Sequence, residues 1–187
     1  MQHNLPPLTQ HKPKLLILGH ARHGKDTVAD EFARQLHLTK LSSSEAAFEM
    51  IRDELVQELS EEGWTPDSPD VEGELYVTKF THRKLWKELI ERHTRRKASA
   101  LVDIILAKSD IYVGMRSLYE FDRTHHIFDA VIYVDASPRV PADDPSMEIP
   151  RDHSGITIHL PNHSSEDTLP SRVTQCLHHL RLRGIAV

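Results

Sequence analysis

The chain has a single cysteine, Cys176, among its 187 residues. An intramolecular disulfide and a cysteine-based metal cluster are therefore both excluded, which suits a reducing compartment. No apolar run approaches the length that crosses a bilayer, and the polar opening residues carry no secretory signal pattern. A cytoplasmic protein is expected. The formal net charge of -5 lacks the basic excess that broad nucleic-acid binding requires, although it leaves room for a local basic pocket. No direct nucleic-acid or membrane partner is expected. The fourteen histidines are scattered rather than grouped. The pairs His125-His126 and His178-His179 place neighbours on different helix faces, and no His-Glu-x-x-His occurs, so no structural metal is expected. No serine-histidine-acid nucleophile system emerges either.

What is present is an alternation of strands and helices. Leu15 to Leu18, Ile111 to Val113, Val131 to Val134 and Ile156 to Leu160 have strand character, with Leu38 to Leu41 as a short fifth. Helical patterns separate them, as in a three-layer α/β domain with a mainly parallel sheet. The spacing of Val28, Ala29, Phe32, Ala33 and Leu36 predicts a helix from Asp26 to Leu38. Leu169, Val173, Leu177 and Leu180 predict another from Glu166 to Leu180, with Pro170 in its first turn and Gly184 past its end.

Residues 1–13 read as a flexible tail and 14–187 as one domain. Within it, residues 42–108 form a mostly helical insert with helices starting near Ser44, Thr81 and Ala98. Gly63 to Gly73 reads as a loop. Residues 136–154 are broken by Pro138, Pro141, Pro145 and Pro150, and suit either a lid or an ordinary surface excursion.

The most informative segment lies between the first strand and first helix: Gly19-His20-Ala21-Arg22-His23-Gly24-Lys25-Asp26-Thr27. It fits the G-x-x-x-x-G-K-[ST] phosphate loop except that Asp26 replaces the final hydroxyl. A helix entered from such a loop points unpaired N–H groups and its positive dipole end at an anion. Lys25 adds a mobile positive charge. Gly19, Ala21, Arg22, His23, Gly24, Lys25, Asp26 and Thr27 are thus the candidate nucleotide-binding set. Asp26 can contact a magnesium ion or simply complement the helix N-terminus.

Other candidates lie elsewhere in the chain. Arg116 follows strand-ending Gly114 at the carboxyl edge of the sheet, where a guanidinium can clamp phosphate. Glu120 either positions that arginine or opens the next helix. Arg83 can reach an acceptor phosphate, with Trp86 near the base, or the two are a surface arginine and a core tryptophan. Arg92, Arg95, Arg96 and Lys97 read as a solvated helix face. Asp135 ends a buried strand and either supports magnesium through water or satisfies the following turn. Arg139 and Arg151 are candidates for charge compensation during phosphoryl transfer, alongside Lys25 and Arg116 as the candidate catalytic group. Asp152 and His153 are open to a base or sugar.

This combination resembles the phage deoxynucleoside monophosphate kinases of the P-loop nucleoside monophosphate kinase superfamily. The resemblance rests on the Gly24-Lys25-Asp26-Thr27 ending, on Asp110 to Arg116 with Glu120, and on Phe128 to Ser137. Ser42-Ser43-Ser44 and His82-Arg83-x-x-Trp86 look like the acceptor-side insert. It implies a three-layer P-loop kinase fold with a mainly parallel central sheet and a helical acceptor-side insert. It further implies ATP and Mg2+ as cofactors, and transfer of the ATP γ-phosphoryl group to a deoxynucleoside monophosphate in the host cytoplasm. Ser43, Arg83, Trp86, Arg116 and Glu120 fall on the acceptor side, Asp26 and Asp135 on the metal side. A homodimer is compatible with this reading. The alternatives are a kinase for another phosphorylated metabolite and a non-catalytic nucleotide-binding regulatory protein.

Overall fold

The computed structural model describes residues 12–163 and 168–187. The expected tail therefore lies almost wholly outside the described residues, as does Glu166, the expected start of the last helix. Five parallel strands form one sheet: β1 (Leu15–Leu18), β2 (Lys40–Ser42), β3 (Ile111–Val113), β4 (Ala130–Asp135) and β5 (Ile158–Pro161), in the order β2-β3-β1-β4-β5. The helices are α1 (Lys25–Leu36), α2 (Ser43–Glu61), α3 (Val71–Thr81), α4 (Arg83–Arg96), α5 (Ala100–Lys108), α6 (Leu118–Thr124) and α7 (Leu169–Leu182). This is a three-layer α/β architecture with helices on both faces of a parallel sheet.

Every residue of β1 and β4 is buried, so alternation along them sorts side chains between two cores rather than between core and solvent. Leu15 and Ile17 face one core with Val28, Ala29 and Phe32 of α1 and Val173 and Leu177 of α7. Leu16 and Leu18 face the other with Ala46, Ala47, Leu101, Ile105 and Phe121. Cys176 sits in the first core, and burial pushes its thiol up to about 12, so it is an inert packing group.

The insert carries a third core of its own. Ile51, Leu55 and Leu59 from α2 pack with Leu75 of α3 and with Trp86 and Leu89 of α4. Helix α3 corrects the sequence expectation, which has loop from Gly63 to Gly73 and no helix between there and Thr81. Asp70 caps it by accepting the Gly73 N–H at 3.0 Å. Smaller offsets occur at strand ends, the largest at the starts of β2 and β5. β2 begins at Lys40 rather than Leu38, and β5 at Ile158 rather than Ile156.

No helix among the described residues is long and apolar enough to cross a membrane. The 136–154 segment contains turns and irregular backbone without helix or strand, as its prolines dictate. It is pinned by Ile149, buried in the second core, and by His153, whose Nε2 lies 2.9 Å from Asp122.

Candidate active site

β1 is the central strand, flanked by β3 and β4. Chain connections leave in opposite directions on either side of it, which opens a crevice at the carboxyl end of the strands. The β1–α1 loop fills that position. Gly19 has φ +140°, and a β-carbon there would lie 2.4 Å from the Val134 carbonyl oxygen. Gly24 has φ +82°, and its β-carbon would lie 2.5 Å from Asn162 Nδ2. Both positions therefore demand glycine for conformation and for space.

The loop is braced from behind. The fully buried His23 ring accepts the Ala136 N–H on Nδ1 at 3.1 Å and donates from Nε2 to the Val140 carbonyl at 3.1 Å. Asn162 Nδ2 donates to the His23 carbonyl at 2.9 Å, and the Asn162 N–H to the Asp135 carbonyl at 2.6 Å. The His23 side chain thus serves the protein scaffold, a role different from the ligand contact expected of it. Arg22, with φ +62°, is exposed at the loop tip.

Lys25 is buried to 8% exposure and donates from Nζ to the His20 carbonyl at 2.7 Å. Burial, and next the Arg116 guanidinium, lower its ammonium pKa below the ordinary value, against smaller opposing effects of Asp26 and Asp144. Asp26 and Asp144 thus offset the mutual repulsion of these two cations only in part. A β-carbon at Gly114 would lie 3.9 Å from Lys25 Cε and 3.3 Å from Ser43 Oγ, and Ser43 donates to the Gly114 carbonyl at 3.1 Å. Lys25, Ser43, Gly114 and Arg116 accordingly converge where β1 and β3 end.

Beside them opens a cavity of about 320 Å³ lined by Asp26, Lys40, Ser42, Glu45, Tyr76 and Val113. Its rim is made rigid by a capping box: Ser42 Oγ accepts the Glu45 N–H, and Glu45 receives the Ser42 N–H and hydroxyl at 3.0 and 2.6 Å. Asp26 and Thr27 are exposed on the first turn of α1. Magnesium in nucleotide sites is held by one or two carboxylates together with substrate phosphates and water. Asp26 fits that requirement. Asp135 does not offer a free carboxylate: it accepts the Ser137 N–H at 2.9 Å and pairs with Arg151 at 3.0 Å. Burial alone would raise its pKa, but Ser137, Arg151 and His163 together hold it below the usual range. Among the described residues no three His, Cys, Asp or Glu side chains form a metal-holding group by themselves.

Several acceptor-side candidates lie apart from the cavity. Trp86 is core: it stacks on Phe48 with ring centroids 5.9 Å apart and donates from Nε1 to Thr78 Oγ1 at 2.9 Å. Arg83 is exposed at the start of α4 and does not line the cavity. Glu120 is buried and receives the Tyr112 hydroxyl at 3.2 Å instead of pairing with Arg116. Arg116 takes Asp144 at 2.9 Å and the Ser146 hydroxyl. Arg139 donates to the Asn162 carbonyl at 3.0 Å. The basic stretch is a solvated, paired face, with Arg92 on Glu54, Arg95 on Glu91 and Lys97 on Asp103.

Asp144, Asn162, Lys40, Glu45 and Tyr76 were not legible as site residues. Asp144 and Asn162 reach the loop from 123 and 139 residues away, a proximity no local pattern records.

No protein-family profile and no curated protein matches this chain. Solved structures share its fold. TT1252 from Thermus thermophilus superposes with a TM-score of 0.50 at 14% identity, over 90% of this chain and 98% of that one. A shikimate kinase from Bacteroides thetaiotaomicron gives 0.50 at 11% identity, over 90% and 98%. Dephospho-CoA kinase from Campylobacter jejuni gives 0.50 at 13% identity, over 89% and 96%.

Proposed function

We propose that the protein is an ATP-dependent P-loop kinase that transfers the γ-phosphoryl group to a small phosphorylated acceptor, with a deoxynucleoside monophosphate as the acceptor to test first. One observation carries the reading. The buried Lys25 closes the glycine loop, and Asp144 bridges the Ala21 N–H of that loop to the Arg116 guanidinium, at the carboxyl end of the sheet and beside a cavity of about 320 Å³. Backbone N–H groups of the glycine loop would hold the β-phosphate, Lys25 would follow charge onto the transferring group, and Arg116 would brace its far side. An acceptor oxygen attacks the γ-phosphorus as the bridging bond to the β-phosphate breaks, and ADP leaves with that electron pair. Magnesium would neutralise the phosphate oxygens, and Asp26 is the residue that would hold it.

The cavity also supports a second acceptor class. Its lining is mostly polar, and neither Arg83, expected at an acceptor phosphate, nor Trp86, expected near a base, is part of it. Shikimate and dephospho-CoA, named for two fold neighbours, illustrate acceptors other than a nucleoside monophosphate. A product panel separates the readings: all common and modified deoxynucleoside monophosphates, and then phosphorylated and hydroxylic metabolites, each with ATP and magnesium. Formation of a deoxynucleoside diphosphate is expected. Turnover of a non-nucleotide acceptor alone moves the assignment to the second class. ATP binding with no product from any acceptor would defeat both. Lys25→Ala is expected to lower kcat by at least about a hundredfold with an unchanged circular dichroism spectrum; near-wild-type turnover removes Lys25 from the mechanism.

A further inference from the structure

Asp144 stands in the proline-broken segment, yet its carboxylate reaches the heart of the site. Its Oδ2 accepts the Ala21 N–H of the glycine loop at 3.3 Å and the Arg116 Nη1 at 2.9 Å. Its Oδ1 accepts the Ser146 N–H at 3.1 Å and the Ser146 hydroxyl at 2.6 Å. Ser146 in turn contacts Arg116. The strap continues through the Glu148 N–H, which donates to the Arg116 carbonyl at 3.0 Å, and Glu148 Oε2, which accepts the Leu118 N–H at 3.2 Å. The side chain is 13% exposed, in a run of largely exposed neighbours.

A loop N–H and an arginine fork are the donors that a phosphate oxygen seeks. Here an internal carboxylate takes both. Carboxylate and phosphate oxygens compete for the same donors, and two such anions cannot share them without strong repulsion. We propose that Asp144 is a self-ligand: it positions Arg116 against the glycine loop in the free protein and is exchanged for a phosphate oxygen when the donor binds. Each binding event must then expel Asp144, so the measured affinity is the intrinsic one multiplied by the fraction of molecules in which the carboxylate has let go. The same exchange frees the 141–147 strap, and it links occupancy of the donor loop to the orientation of the acceptor-side arginine.

The inference rests on the phosphate-loop reading, and the test separates the two. Inorganic tripolyphosphate is titrated calorimetrically into the full chain, wild type and variants. Asp144→Asn retains an acceptor for Ser146 but loses the charge facing Ala21 and Arg116, and is expected to bind about tenfold tighter than wild type. Ser146→Ala leaves the charge and loosens its support, and is expected to fall between the two. Asp143→Asn, an exposed neighbour, makes the same change in net charge and is expected to stay within about twofold of wild type. Tightening by Asp143→Asn equal to that of Asp144→Asn overturns the self-ligand, since general charge then explains it. Unchanged or weaker binding by both Asp144→Asn and Ser146→Ala also overturns it, while Lys25-dependent binding in the wild type keeps the phosphate loop intact. Failure of wild type and variants alike to bind tripolyphosphate overturns both proposals.

Discussion

Glu120 shows how far a residue's chemistry depends on what packs over it. In the sequence it reads equally as a partner for Arg116 or as a helix-start acid. In the fold it is 3% exposed, and burial raises its pKa to about 7, against the lowering effect of the Tyr112 hydroxyl. A carboxyl group whose folded pKa is raised binds more protons in the native than in the unfolded state between the two values. Its contribution is therefore most favourable below the unfolded pKa of 4.5 and is lost as pH rises towards about 7. Glu120→Gln keeps an acceptor for Tyr112 and removes the buried charge. We expect it to match wild type near pH 4.5 and to be more stable at pH 8, by up to about 3 kcal/mol. Denaturant unfolding at both pH values checks this. Equal stability of the two proteins at pH 8 would show that the carboxyl ionises without cost.

At the scale of elements, legibility followed the range of the interactions. β1, α1 and β4 are readable because burial and helical period are local properties of their own residues. α3 is not. Val71, Val77 and Phe80 are exposed while Leu75 and Thr78 face inward, so the apolar residues do not mark the buried face, and Gly73 reads as a loop residue until Asp70 is seen to cap it. The phosphate loop was legible as a motif, but its braces, Asn162 and the His23 ring, depend on β4 and β5 meeting it in space. Trp86 reads either as a base-pocket or as a core residue for the same reason, and in the fold its indole belongs to the α2–α4 core. Trp86→Phe removes the bond to Thr78 and part of the stack on Phe48, and is expected to cost about 1–3 kcal/mol of stability while leaving the acceptor KM within about twofold. Steady-state kinetics and denaturant unfolding of the same preparation decide the matter. A tenfold rise in KM at full stability would return Trp86 to the acceptor pocket.

The whole molecule divides its stability unevenly. Two cores share the sheet and are continuous through β1 and β4, whereas the α2–α4 core touches the rest through α2 and α5. α3 is the least anchored part of that third core, with Leu75 and Thr78 as its buried residues, yet it contributes Tyr76 to the cavity wall. An element held by few buried side chains opens locally at a lower free energy than the global transition. Native-state hydrogen exchange should therefore find the amides of Val71–Thr81 less protected than those of β1 and β4. A ligand that binds only the closed cavity adds protection by mass action, about 2.7 kcal/mol at a hundred times its dissociation constant. With an accepted deoxynucleoside monophosphate at that excess, protection should rise along α3 and at the start of α2 but not along α7, which packs on the opposite face of the sheet. A uniform rise across α3 and α7 would mean that the acceptor stabilises the molecule globally, and no change at α3 would place the acceptor outside the cavity beside Tyr76.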